Sequence, residues 1–103
     1  MAARFSFSIR DRGAGRVFVI QIAGELDAVY VEAIHRLVDR IPPGETGAID
    51  LRQVTFIDST ALSAIIAVKR ARGDNLKIVG ATPPILHVFE EAGAAEALDN
   101  GVL

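Results

Sequence analysis

Apolar and polar residues alternate first at the start of the chain. Phe5, Phe7 and Ile9 interleave with Ser6, Ser8 and Arg10, the period of a strand with one buried face. Asp11-Arg12-Gly13-Ala14-Gly15 reads as a turn, its glycines suited to positive φ. Residues 17–22 are then almost wholly apolar, broken by Gln21, as a strand covered on both sides is. The short link predicts an antiparallel hairpin of residues 5–10 and 16–23, with the first strand at a sheet edge.

From there the period changes. After Gly24-Glu25-Leu26, Asp27 is placed to cap a helix over 28–40, whose apolar residues Tyr30, Ile34, Leu37, Val38 and Ile41 form one stripe. Pro42-Pro43-Gly44 ends it. Residues 48–54 read as a strand, with Phe56 and Ile57 continuing its apolar content. Asp58-Ser59-Thr60 follows, and then a helix with Leu62, Ile65 and Ile66 inward. Lys69, Arg70 and Arg72 stand where the helix dipole favours cations, read as a solvated end, and Gly73 is the stop. Residues 76–80 form a short strand. Thr82-Pro83-Pro84 opens a third helix with Ile85, Val88, Phe89 and Ala92 inward; Gly93 breaks it, and residues 94–98 add a small final helix.

The order β-β-α-β-α-β-α predicts an α/β fold: one domain over 1–103, with a mixed sheet of four to five strands and about four helices. No linker, repeat or low-complexity segment interrupts it. At 103 residues, 50% apolar and 23% charged, the chain suits a single folded core.

The net charge of −2 gives no reason to expect nucleic acid or an anionic membrane as partner. With no cysteine, disulfides and thiol chemistry are excluded for this chain. Arg4 and Arg10 bracket a strand pattern where a signal peptide would need an apolar core, and runs such as 64–68 are too short to cross a bilayer. A cytoplasmic protein without membrane insertion is the expectation.

Candidate chemistry gathers at the strand-to-helix junction Thr55-Phe56-Ile57-Asp58-Ser59-Thr60-Ala61-Leu62. Asp58, Ser59 and Thr60 can serve only as caps for free N–H groups at a helix start. They can also form a phosphorylation switch, because a helix N-terminus tolerates a phosphate while the added charge would repel a docked partner. Asp27, like Asp58, follows a strand end, so parallel pairing would put both on one rim of the sheet. As a carboxylate pair for acid/base work they lack any pocket or substrate contact legible in the chain. His35 and His87 match no metal spacing, and no glycine pattern makes a phosphate loop. No cofactor or metal is expected.

Two segments in register resemble the STAS domain family. Ile22-Ala23-Gly24-Glu25-Leu26-Asp27 is similar to its early Gly-Glu-Leu/Ile-Asp element. Ala48-Ile49-Asp50-Leu51, leading through Val54, Phe56 and Ile57 into Asp58-Ser59-Thr60-Ala61-Leu62, is similar to its apolar strand and Asp-Ser-Ser/Thr-Gly-Leu motif. Within the family the resemblance is to bacterial anti-sigma factor antagonists. It implies a non-enzymatic regulator of transcription that, unphosphorylated, binds an anti-sigma factor serine kinase and so frees a sigma factor. It implies phosphorylation at Ser59, with Thr60 as second choice, and reversal by a PP2C-type phosphatase. The implied partner-binding residues are Asp27, Asp58, Ser59, Thr60, Ala61 and Leu62. Ala61 stands where the family usually has Gly, adding bulk at the expected docking surface. Two other functions compete. One is a STAS regulatory subunit of a membrane lipid-transport ABC assembly; the other is a small enzyme or nucleotide-binding domain using Asp27 and Asp58.

Overall fold

The computed structural model describes residues 2–11, 13 and 15–99. Arg12 and Ala14 of the expected turn lie outside the described residues. The strands are β1 (Arg4–Asp11), β2 (Arg16–Leu26), β3 (Thr46–Ile57) and β4 (Leu76–Val79). The helices are α1 (Val31–Asp39), α2 (Ser59–Arg72) and α3 (Pro83–Glu91). The sheet order is β1-β2-β3-β4, with β1 antiparallel to β2 and the other pairs parallel. The expected hairpin, its edge position and the mixed sheet are therefore all present.

Register divides the sheet into two faces, because side chains alternate along each strand. The row Phe7, Ile20, Ile49, Ile78 runs across all four strands. The latter three join Phe18, Ile22 and Leu51 in one core with Ile34 and Val38 of α1, Leu62, Ile65 and Val68 of α2, and Ile85 and Phe89 of α3. The opposite face carries Ser6, Ser8, Gln21 and Asp50.

Several details depart from the sequence reading. The first turn of the expected 28–40 helix is a 3-10 turn, Ala28–Tyr30, ahead of α1. The small final helix is a 3-10 turn of three residues, Ala95–Ala97, so the sheet is packed by three α-helices among the described residues. Ile9, on the edge strand β1, is 53% exposed, and Ala92 is exposed because α3 ends before it. Residues 55–57 belong to β3 itself, which extends well past the short β4.

The expected solvated end of α2 is tied down. Lys69 Nζ donates to the carbonyls of Leu76 (2.6 Å) and Gly73 (3.2 Å), and an Arg72 guanidinium nitrogen donates to Ile41 O at 2.9 Å. These cations satisfy carbonyls at element ends, where water would otherwise be required.

Candidate functional site

Parallel pairing of β2 with β3 continues to Leu26 opposite Ile57, after register shifts between Gln21 and Ala23 and between Gly24 and Glu25. Gly24 has φ +92, a conformation that glycine reaches without a Cβ penalty. Both strands thus stop level with one another, and the next residue of each is an aspartate. Asp27 and Asp58 share one rim of the sheet, as their positions after two strand ends predict.

Each aspartate has extended backbone, the conformation of an N-cap. Asp27 Oδ1 accepts the Val29 N–H at 3.1 Å, a turn closed within its own loop. Asp58 Oδ1 accepts the Ala61 N–H at 2.8 Å and so caps α2. Asp58 Oδ2 accepts the Ala28 N–H at 3.1 Å, from the 3-10 turn that follows β2. The Asp58 N–H donates to Leu26 O at 3.1 Å. The 3-10 turn is held on its other side by Tyr30, whose hydroxyl accepts the Ala3 N–H at 3.2 Å and whose ring meets Phe5 at 5.7 Å.

Ser59 is the first residue of α2, and Thr60 follows; both are exposed. Neither hydroxyl is hydrogen-bonded to another described residue. Capping of α2 falls to Asp58, which leaves the two hydroxyls facing outward. Ala61 and Leu62 behave differently from their neighbours. Ala61 is 0% exposed and Leu62 4%, both in the core. Helical periodicity turns these third and fourth residues of α2 inward. The Ala61 methyl therefore adds no bulk at the surface. The rim also displays two apolar side chains, Val29 (81% exposed) and Phe56 (51% exposed). Their exposure was hidden because an apolar residue at an element end reads as core.

A second polar cluster lies along β3. The buried Asp50 carboxylate accepts from Arg52 Nε at 3.1 Å, from an Arg52 terminal nitrogen at 2.7 Å and from the Arg52 N–H at 3.0 Å. Hydrogen bonding by Asp50, and then its charge, push the Arg52 pKa up from its ordinary value. This pair closes on itself and leaves the rim to Asp27, Asp58 and the hydroxyls.

Among the described residues no three His, Asp or Glu side chains cluster as metal ligands. His35 is exposed on α1, and His87 pairs with Glu91 on α3. A groove of about 590 Å³ lies beside β4, lined by Gly80, Leu86, Glu96 and Asp99 among others. Among the described residues no helix is long and apolar enough to cross a membrane.

No curated protein matches the chain in sequence. Among solved structures, the anti-sigma factor antagonist SpoIIAA in its unphosphorylated form matches with a TM-score of 0.68 at 20% identity, covering 94% of this chain and 89% of that one. An anti-sigma factor antagonist from Mycobacterium paratuberculosis matches with a TM-score of 0.67 at 24% identity, over 92% and 83%. The Bacillus cell fate determinant SpoIIAA in its phosphorylated form matches with a TM-score of 0.63 at 20% identity, over 94% and 92%. These likenesses establish a shared fold. A family model described as "Mlab, STAS domain" matches residues 9–101. The chain belongs to the STAS domain family.

Proposed function

We propose that this protein is an anti-sigma factor antagonist, a cytoplasmic regulator without catalytic activity of its own. Its domain spans 1–103, and it docks an anti-sigma factor serine kinase at the rim bearing Asp27 and Ser59. Docking frees a sigma factor for transcription. Phosphorylation of Ser59 by that kinase ends the interaction, and a PP2C-type phosphatase restores it. The observation that carries the reading is the exposed Ser59 hydroxyl at the start of α2, without a hydrogen bond among the described residues and next to a cap supplied by Asp58. Solved structures that share the fold include an anti-sigma factor antagonist and a phosphorylated form of SpoIIAA.

The physics of the switch is local. A phosphate on Ser59 would add ~1.5 to 2 negative charges. It would stand next in sequence to Asp58 and across the rim from Asp27, whose carboxylates already crowd the corner with negative charge. A docked surface would meet both repulsion and the cost of stripping water from a dianion. The helix N-terminus itself favours the anion, so the fold survives what the interface does not.

The test begins with intact-mass and fragment mapping of protein isolated from its host with phosphatases inhibited. One phosphate on Ser59 is expected, Thr60 being the second choice. Binding of Ser59→Ala and Ser59→Asp to the kinase-type anti-sigma factor is then compared. Ser59→Ala is expected to bind like wild type and Ser59→Asp to lose at least about tenfold in affinity, a difference of ~1.4 kcal/mol. Equal binding by the two variants would rule out a charge switch.

The matching family model takes its description from Mlab and not from an anti-sigma factor antagonist, so a second reading stands beside the first. It is a STAS regulatory subunit of a membrane lipid-transport ABC assembly. Co-purification with a transporter ATPase subunit, with no phosphate under any growth condition, would establish that reading in place of the first.

A further inference from the structure

The two rim aspartates look equivalent in the chain, since each follows an apolar strand. Their hydrogen bonds make them different. Asp27 Oδ1 serves its own loop, two residues on, and its Oδ2 accepts no hydrogen bond from the described residues. Asp58 spends both oxygens on backbone donors from separate elements, the Ala61 N–H of α2 and the Ala28 N–H of the 3-10 turn, 30 residues away in sequence. We infer that Asp58 is a positioning residue: it clamps the Asp27–Val29 loop to the start of α2, and so fixes the spacing between Asp27, Val29 and Ser59 in place of meeting a partner itself.

The loop needs such a clamp. A 3-10 turn of three residues has poor intrinsic hydrogen bonding and no buried side chain of its own. It is anchored by the Tyr30 hydroxyl on the β1 side and by Asp58 on the α2 side. Without the Asp58 carboxylate, the backbone N–H of residue 58 would still donate to Leu26 O, but that bond lies ahead of the loop. Val29, the most exposed large apolar side chain among the described residues, would then move independently of Ser59. A partner would have to order the loop on docking and would bind more weakly for it. A carboxylate suits the task because both its oxygens accept; an amide has one acceptor and one donor group.

That asymmetry makes Asp58→Asn the informative variant. Its carbonyl oxygen can still cap α2, asparagine being a preferred N-cap, whereas its NH2 group cannot accept from Ala28. The experiment is amide hydrogen exchange by NMR on wild type, Asp58→Asn and Asp58→Ala, with affinity for the kinase-type anti-sigma factor measured on the same samples. In Asp58→Asn the Ala28 amide is expected to exchange at least about tenfold faster, the loss of a hydrogen bond to a charged acceptor, while Ala61 stays protected. In Asp58→Ala both amides lose protection. Affinity is expected to fall about tenfold in Asp58→Asn although the capped helix and the melting temperature are nearly kept. Unchanged Ala28 exchange in Asp58→Asn overturns the clamp. Faster Ala28 exchange with undiminished affinity overturns the positioning role. The inference rests on the docking proposed above; a wild-type protein that binds no such kinase overturns that reading instead, and the amide comparison then decides the clamp by itself.

Discussion

At Gly80 the chain leaves β4 with φ +77, and an added Cβ would lie 2.4 Å from Arg52 Cγ and 2.9 Å from Asp50 Oδ1. The missing side chain is therefore what lets Arg52 fold back over the buried Asp50. Gly80→Ala is expected to destabilise the protein by at least about 1–2 kcal/mol from the backbone conformation alone, with the clash adding to it. Urea unfolding measures this. A midpoint equal to wild type would mean that the β4 exit relaxes without cost and that the Arg52 fold-back tolerates a Cβ. Single residues are also where sequence reading reached least far. Asp50 was visible as part of a motif, but its partner Arg52 and the space provided by Gly80 depend on how β4 ends beside β3. Lys69 and Arg72 are cations at a helix end by pattern, yet their acceptors at Leu76 and Ile41 are set by packing between elements. The exposure of Val29 and the burial of Ala61 follow from rotation about a helix axis at its first turn, where one residue of phase decides which side faces out.

At the scale of elements the legible part is larger. Strand and helix periods fall into separate stretches, and each helix carries a start or stop signal: Asp27, Asp58 and Thr82 before, Gly73 after. The pairing of Asp27 with Asp58 on one rim was foreseeable from β2 and β3 both ending one residue earlier. The Asp58 to Ala28 bond was not, because it needs the register shifts near Gly24 that bring Leu26 level with Ile57. The inward stripe of α3 holds at Ile85 and Phe89 but not at Ala92, which lies past the helix end. After α3 the chain returns to the sheet edge, where Asp99 meets Ile78, while α3 itself buries Ile85 and Phe89. Phe89 is 0% exposed in the core. Phe89→Ala is expected to cost about 3–5 kcal/mol, read as a lower urea midpoint. A loss under about 1 kcal/mol would show that α3 docks by other means, such as the Asp99 contacts with Ile78 that close the β4 edge.

At the scale of the whole molecule, scaffold and candidate switch use different parts of the chain. The core lies between the helices and one sheet face, from Phe18 to Phe89. The exposed hydroxyls sit at the start of α2, and the residues that follow them, Ala61 and Leu62, are already buried in that core. A charge on Ser59 thus acts on a surface that contributes little to folding. It also acts at the positive end of α2, where an anion is stabilising by ~0.3–1 kcal/mol, though Asp58 already occupies part of that field. The two contributions oppose one another, and both are screened by salt. Ser59→Asp is therefore expected to melt within about 2–4 °C of wild type, the shift that ~0.5 kcal/mol gives in a domain of this size. Its circular dichroism should be unchanged, and any difference in melting should shrink as salt rises. Under the proposed function the same substitution removes docking. If Ser59→Asp unfolded the domain, lost binding would follow from lost structure and the charge would be no switch. A folded, stable Ser59→Asp that no longer docks would place the whole effect at the interface, which is how a scaffold can carry a reversible modification through many cycles without unfolding.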